Sequence, residues 1–434
     1  MISPNRPWAK RRGPGEYCPG GSPPERCRRS LPPSGGTAQE AVARSAGAAV
    51  DGVPDMAVPH ELLRTYPLTA PTTAPCRRDP IGFPSRMLLS LIVIAVSASI
   101  WVWRKRRARP SAAQLAAEGW LPPERQNAER SFADHEAVAV VAALERGDWQ
   151  PAAQALEATG TDWERRSALA GIIGEEAAKD DVWLRAWQTA LPDDPGAALV
   201  RAEAKVAVAW QIRGTAWAKD TTAEQFAGFH RVLEEAREDF ARAVALAAPG
   251  DPTPYAAAIP LYKGTGASHE EMRKLWAEIT SRAPYHFGAH SGALSYWFPR
   301  WRGSEELALE FAWTAARTVP PGNLMTMLPL QYWYHHLDDD APDVAYRSVH
   351  LTAMVDATLM DVAACRPGHP WLADARHLLA YVLTKQERYA EAVEQFRLLD
   401  GWIGAAPWTH YAKPEVAFCG YRDIAIIGAR QANR

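Results

Sequence analysis

Apolar residues in the C-terminal three quarters of this 434-residue chain recur every three or four positions, between breaks rich in glycine and proline. Between 225 and 248 they fall at Phe229, Leu233 and Phe240, on one face of a helix, and 272–279 repeats the same spacing. No stretch of useful length alternates β-branched and polar residues as a half-buried strand does. The pattern therefore predicts an all-α fold class for this part of the chain.

Several of the predicted helices begin at a capping box. In this motif a Ser or Thr side chain accepts from the backbone three residues later, and a Glu there reaches back. Such a pair fixes the first turn of a helix and predicts where the helix begins. The three boxes are Thr161 with Glu164, Thr221 with Glu224, and Ser268 with Glu271.

Pairs of these helices are joined by short turns. In the clearest unit Ala380 and Ala392 are twelve residues apart, with Tyr389 in the turn region. The unit resembles the tetratricopeptide repeat, whose small residues let two antiparallel helices approach and whose aromatic residues fill the gap. The resemblance implies a degenerate tetratricopeptide-like α-solenoid of helical hairpins over 131–434. The three best units are 371–400, 135–157 and 285–318.

The turn inside the third unit carries the most specific motif, Tyr-Trp-Phe-Pro-Arg-Trp-Arg-Gly-Ser at 296–304. An aromatic–basic–Trp–Gly–Ser turn before an Ala-rich helix resembles an uncharacterised bacterial family, a domain of unknown function with a tetratricopeptide-like fold. This chain departs from that pattern, because Arg302 stands where the family often has Gly. The resemblance implies a fold and no activity.

The first 86 residues differ from the rest in composition. They hold 15 of the 35 prolines and carry 12 Lys/Arg against 7 Asp/Glu, without apolar periodicity. Such a segment cannot bury enough apolar surface to offset the entropy lost on ordering. We therefore expect 1–86 to be a disordered tail. Alternatively, translation starts at Met87 and the preceding residues are an over-extended gene start.

Residues 87–103 form an uncharged apolar run, followed by the basic cluster 104–109. As a helix the run spans roughly 25 Å, near the lower limit for crossing a bilayer. The pattern favours a transmembrane anchor, with a basic juxtamembrane linker over 104–130, over a buried core helix or a cleaved signal peptide. Because positive charge stays inside, we expect a single-pass cell-membrane protein whose C-terminal domain is cytoplasmic.

The body of the chain, 110–434, is acidic, with 31 Lys/Arg and 43 Asp/Glu. An acidic body repels phosphate backbones, so nucleic acid is excluded as a partner and a basic protein or peptide is favoured. Phosphate-binding loops of Walker or Rossmann spacing and the Gly-x-Ser-x-Gly elbow are missing from the sequence. We expect a non-enzymatic interaction scaffold without a cofactor, whose partner the sequence does not identify.

Candidate binding residues gather around the 296–304 motif and the aromatic segment near 332. Trp and Arg dominate the energetics of protein interfaces, so Trp301 between two arginines is a candidate hot spot. Alternatively, Trp301 is a plug that fills the space between Ala-rich helices, with the arginines stacked on its ring. The predicted binding residues are Trp297, Arg300, Trp301, Arg302, Tyr332 and His336.

A second functional class is a metal-assisted hydrolase. His286 and His290 are four residues apart, a spacing that puts both imidazoles on one helix face, and His335 is followed by the acidic run 338–340. These residues would form a metal site if their two helices met. No metal-binding motif is complete in the sequence, so the interaction scaffold is preferred.

Overall fold

The computed structural model describes residues 110–214, 218–336 and 342–432. Within them the chain is helical, and the one isolated bridge, between Asn127 and Trp402, does not extend into a strand. The all-α prediction is confirmed. Short 3₁₀ helices lie at Pro123–Arg125, Ala218–Asp220 and Trp408–His410. The α-helices are α1 (Ala112–Ala117), α2 (His135–Leu144), α3 (Gln150–Ala158), α4 (Trp163–Lys179), α5 (Val182–Ala190), α6 (Pro195–Arg213), α7 (Ala223–Leu246), α8 (Thr253–Ala257), α9 (Ile259–Thr265), α10 (His269–Arg282), α11 (Phe287–Tyr296), α12 (Glu305–Thr318), α13 (Met327–His336), α14 (Asp343–Tyr346), α15 (Val349–Ala364), α16 (Leu372–Lys385), α17 (Tyr389–Leu399) and α18 (Pro414–Ala432).

Helix α6 lies against both α4 and α7 and has buried residues along most of its length. Asp194 caps its first turn, and Pro195 follows at the first helical position, where no backbone donor is needed. A Cβ on Gly174 of α4 would lie 2.5 Å from the Cβ of Glu203 on α6. The glycine therefore permits the close approach of these two helices.

Two of the three predicted helix starts differ from the structure. Ser268 and Glu271 form the expected capping box of α10. The box of α7 is one residue later than predicted, at Thr222. Helix α4 is capped by Asp162, whose carboxylate accepts from the backbone of Arg165. Neighbouring cap-forming residues compete, and the carboxylate of Asp162 prevails over the hydroxyl of Thr161.

The predicted hairpins are present as contacting pairs, α2 with α3, α11 with α12 and α16 with α17. In a solenoid, however, each repeat contacts only its neighbours. Here the backbone N–H of Leu121 donates to Asp400 at 2.7 Å, and Arg422 donates to the Leu121 carbonyl at 2.7 Å. The solenoid arrangement is therefore not confirmed. The stretch 110–130, predicted as a linker, packs against the C-terminal helices, with Trp120 buried.

In the described ranges, no helix combines the length and the apolar character needed to cross a bilayer. This finding contradicts the predicted single-pass membrane localisation. The predicted cytoplasmic orientation depended on that localisation and is no longer supported. The run 87–103 on which the prediction rested lies outside the described residues, as do the tail 1–86, the basic cluster 104–109 and the acidic run 338–340.

Candidate functional site

The 296–304 motif forms the end of α11 and the turn that leads into α12; residues 297–304 are called the α11–α12 turn below. Pro299 cannot continue a helix, and the Trp301 N–H donates to the Phe298 carbonyl at 2.9 Å. Ser304 caps α12 by accepting from the backbone of Leu307 at 3.2 Å. The turn is thus held by its own backbone, with Arg300 exposed at its tip.

Trp301 is half-buried and turns toward α6 and α9. Its ring packs edge-on against Trp210 of α6, with 5.4 Å between the ring centroids. The Lys263 Nζ of α9 lies 4.9 Å from the centroids of both indole rings, and the Arg213 guanidinium lies 5.6 and 5.8 Å from the same rings. We call Trp210, Arg213, Lys263 and Trp301 the indole–cation cluster.

Helix packing places Lys263 in this cluster. A Cβ on the next residue, Gly264, would lie 2.7 Å from the Phe229 ring, so glycine lets α9 approach α7 closely. The Lys263 ammonium lies 3.3 Å from the Ser295 hydroxyl, which in turn donates to a carbonyl of α11 at 2.7 Å. Contacts from three helices therefore hold the ammonium beside the α11–α12 turn.

The charges that act on Lys263 are all positive. Burial lowers the pKa of its ammonium to about 8, and the charges of Arg300 and Arg213 lower it further in the same direction. Within the part of the chain that the structure describes, no carboxylate forms an ion pair with Lys263, Arg300 or Arg302. The turn therefore carries cations that form no ion pair within the described ranges, although Glu305 and Glu306 follow it in the first turn of α12.

Five of the six predicted binding residues fall into two groups, and the sixth, His336, is exposed at the end of α13. Arg300 and Arg302 are exposed and lie with the half-buried Trp301 at the surface of the turn. Trp297 and Tyr332 are buried, with 8% and 5% of their surface exposed. Trp297 packs edge-on against other rings, so it contributes to the core rather than to a surface.

Tyr332 and His336 of α13 pack against Phe298 of the turn. Their rings stack at 4.0 Å, and Phe298 packs edge-on against both. Burial raises the pKa of the Tyr332 hydroxyl to about 12 and lowers the pKa of His336. The Arg300 guanidinium lies 4.9 Å from the Phe298 ring, which links this aromatic stack to the exposed surface.

Three members of the indole–cation cluster do not appear among the predicted residues: Trp210, Arg213 and Lys263. Trp210 and Arg213 are three residues apart at the end of α6, a spacing that puts both on one helix face. That spacing is a weak signal, since many Trp and Arg residues in the chain share it. Lys263 carries no local signal, because its role depends on which helices α9 meets.

A second polar cluster joins α4, α11 and the segment before α16; we call it the Glu164 network. The Glu164 carboxylate accepts from the backbone of Phe287, from the backbone of Gly288 at 3.3 Å and from the Trp371 indole at 2.9 Å. The buried His286 bonds Ser167 through its Nε2 at 2.9 Å. The sequence predicts that Glu164 forms a capping box at the start of α4. In the structure its carboxylate instead accepts from the backbone at the start of α11.

The Glu164 network contains the residue types of a hydrolytic triad, but its hydrogen bonds run in the opposite direction. In a triad the histidine Nδ1–H donates to the carboxylate and Nε2 accepts from the serine. Here the Ala289 backbone donates to His286 Nδ1 at 3.1 Å, and the Nδ1 to Glu164 distance is 3.4 Å. This hydrogen-bond pattern assigns the proton to Nε2, which then donates to Ser167. The arrangement caps α11 and does not prepare a nucleophile.

The three histidines of the metal hypothesis are not brought together. His290 packs against Trp276, and burial lowers its pKa to about 4. His335 instead faces Phe298 and His410. Across the described ranges no group of three or more His, Cys, Asp or Glu residues could hold a metal ion.

Comparison with known proteins returns no relative: no family model, no curated protein and no solved structure matches this chain. The resemblance of the α11–α12 turn to an uncharacterised bacterial family therefore stays a prediction.

Proposed function

We propose that this chain is a protein-interaction scaffold that binds an acidic segment of a partner protein at the α11–α12 turn. One observation carries the proposal: the exposed Arg300 and Arg302 and the half-buried Lys263 have no carboxylate partner among the described residues. Complementary charge across an interface guides encounter and selects partners. The acidic composition of the body favours a basic partner, whereas the local charge of the turn favours an acidic one.

The aromatic residues of the turn add the second half of an interface. Trp and Arg are the residue types that most often carry binding energy. Trp301 packs edge-on against Trp210 and remains half-exposed beside Arg300. A partner segment that carries carboxylates and an apolar residue would therefore contact the arginines and the Trp301 ring at the same time. The helices behind the turn hold it in place, as contacting hairpins do in repeat scaffolds.

The proposal is tested by the binding of a fluorescein-labelled octaglutamate peptide to the full chain, followed by anisotropy at low salt. The charge-reversed variants R300E and R300E/R302E should bind at least about tenfold more weakly, because reversal replaces attraction by repulsion. The matched control is R317E, since Arg317 also lies over an indole, 5.6 Å from the Trp313 ring, outside the turn.

R317E should bind like the unchanged protein. Binding that is unchanged in R300E/R302E, or lost equally in R317E, would refute the turn as the binding surface. Octalysine serves as the opposite probe and should not bind there; preferential binding of octalysine would restore the basic partner that the overall charge indicates.

A further inference from the structure

Two groups of the indole–cation cluster lack the partner that their chemistry requires. The Trp210 Nε1 is screened from solvent and has no acceptor among the described residues. An ammonium has three protons to donate, and the only oxygen that Lys263 contacts there is the Ser295 hydroxyl, at 3.3 Å. Buried donors without acceptors are rare in folded proteins and need a physical explanation.

The charge around Lys263 makes the same point independently. Its ammonium lies between two indole rings, with Arg213 over the same rings and Arg300 close enough to act on it. Clustered like charges repel, and the aromatic walls reduce the screening that water provides. The cation–π contacts with the two rings offset part of this repulsion, and no negative charge among the described residues acts on Lys263.

We infer that the indole–cation cluster is an oxyanion site, which receives a carboxylate of the acidic partner between Lys263 and the Trp210 indole. The oxyanion site rests on the proposed function and specifies which groups of the chain would recognise the acidic ligand. The carboxylate would accept from the Lys263 Nζ beside the Trp210 ring, and its charge would offset the repulsion among Lys263, Arg213 and Arg300. A phosphate has the same acceptor chemistry, so the test includes both anions.

The test is the thermal shift of the full chain with octaglutamate or with inorganic phosphate, in the unchanged protein and in two lysine variants. K263M keeps the apolar stem and removes the charge. K385M is the matched control, because the Lys385 Nζ also lies over two rings, 5.3 Å from Tyr346 and 5.9 Å from Tyr421.

Octaglutamate at about one hundred times its Kd should raise the Tm of the unchanged protein and of K385M by about 2–3 °C, and that of K263M by less than about a third as much. A shift with octaglutamate alone assigns the site to carboxylates, and a shift with both probes assigns it to oxyanions in general. Equal shifts in K263M and the unchanged protein, or no shift with either probe, overturn the inference.

The outcomes also separate this inference from the proposed function. If K263M binds octaglutamate normally and R300E/R302E does not, the turn binds acidic segments without the oxyanion site. If phosphate stabilises the unchanged protein but not K263M, while octaglutamate binds neither, the site exists and the proposed peptide ligand is wrong.

Discussion

The Glu164 network and the indole–cation cluster are both partly buried sets of polar groups between helices. They differ in whether the described residues provide each group with a hydrogen-bond or charge partner. Glu164 has three donors around its two oxygens, and His286 has a partner at each ring nitrogen. The Lys263 ammonium has one oxygen contact, and every charge that acts on it is positive. Among the described residues, the donors and acceptors of the Glu164 network are matched, whereas the Lys263 ammonium and the Trp210 indole N–H are not fully matched.

This difference separates a structural role from a binding role. A network whose donors and acceptors are all matched stabilises the fold, and an added ligand has nothing left to bond. The Lys263 ammonium has a single oxygen contact among the described residues, so it gains from an anion that arrives later. Residue types alone would rank the two clusters the other way, because serine, histidine and glutamate suggest catalysis more strongly than two indoles and a lysine do.

The largest effect is expected from removing the acceptor at the centre of the Glu164 network. Glu164→Ala leaves the N–H groups of Phe287, Gly288 and Trp371 without their acceptor, at about 1–3 kcal/mol for each buried donor. We expect the free energy of unfolding to fall by about 3–5 kcal/mol in urea titrations.

The control for this prediction is Glu176→Ala, which removes an acceptor of the exposed Lys179 and should cost less than about 1 kcal/mol. Octaglutamate binding of folded Glu164→Ala should be unchanged. A loss of affinity without a loss of stability would instead make the Glu164 network part of the binding site.

A smaller effect on stability, joined to an effect on binding, is expected at Trp301. Trp301→Ala removes a half-buried ring that packs on Trp210, so the free energy of unfolding should fall by about 2 kcal/mol. Octaglutamate affinity should fall as well, because the ring also forms one wall of the oxyanion site. Urea unfolding and anisotropy measure the two quantities.

Trp313→Ala is the control for Trp301, since Trp313 is also half-buried and carries an arginine over its ring. It should lower stability and leave binding unchanged. A Trp301→Ala protein that loses stability alone would make Trp301 a packing residue only. One that loses binding alone would make it an interface residue without a packing role.

The smallest effect is a dependence of stability on alkaline pH. In the folded chain burial lowers the pKa of Lys263 from 10.5 to about 8, so between these values the unfolded chain holds the proton more strongly. The contribution of Lys263 to the free energy of unfolding should therefore become more favourable to the folded state as the pH increases from 8 toward 10.5. The free energies of unfolding of the unchanged protein and of K263M, compared at pH 7, 8, 9 and 10, isolate the contribution of Lys263.

The two stability curves should diverge above pH 8, with the unchanged protein gaining on K263M. Parallel curves would show that folding does not lower the pKa of the Lys263 ammonium. Octaglutamate should reduce the divergence, because a bound carboxylate favours the charged form of Lys263.

Sequence patterns predicted the class of fold, because amphipathic periodicity, caps and breakers are local. They predicted the cap at Ser268 and the short turn ending at Ser304, where neighbouring residues decide the backbone. They did not predict the contact of Leu121 with Asp400, because two segments 279 residues apart meet only after the helices between them have packed. The hairpin periodicity carries no information on such closure.

The candidate site was predicted in part, for the same reason. Arg300, Trp301 and Arg302 belong to one short motif, and their composition identifies the turn. Lys263 joins them through the packing of α9 between α7 and α11, with Gly264 against the Phe229 ring. The Glu164 network depends likewise on tertiary contacts, and its composition alone would have been misleading.

The most direct test of the central claim locates the ligand by lysine labelling. The full chain is acetylated at pH 8 with and without octaglutamate, and the rate at each lysine is read by mass spectrometry. At about ten times its Kd the peptide should slow acetylation of Lys263 by about tenfold, in proportion to the unoccupied fraction, and leave Lys385 and the exposed Lys274 unchanged. An unchanged rate at Lys263 under conditions where the peptide is bound would contradict the claim that the indole–cation cluster receives the acidic partner.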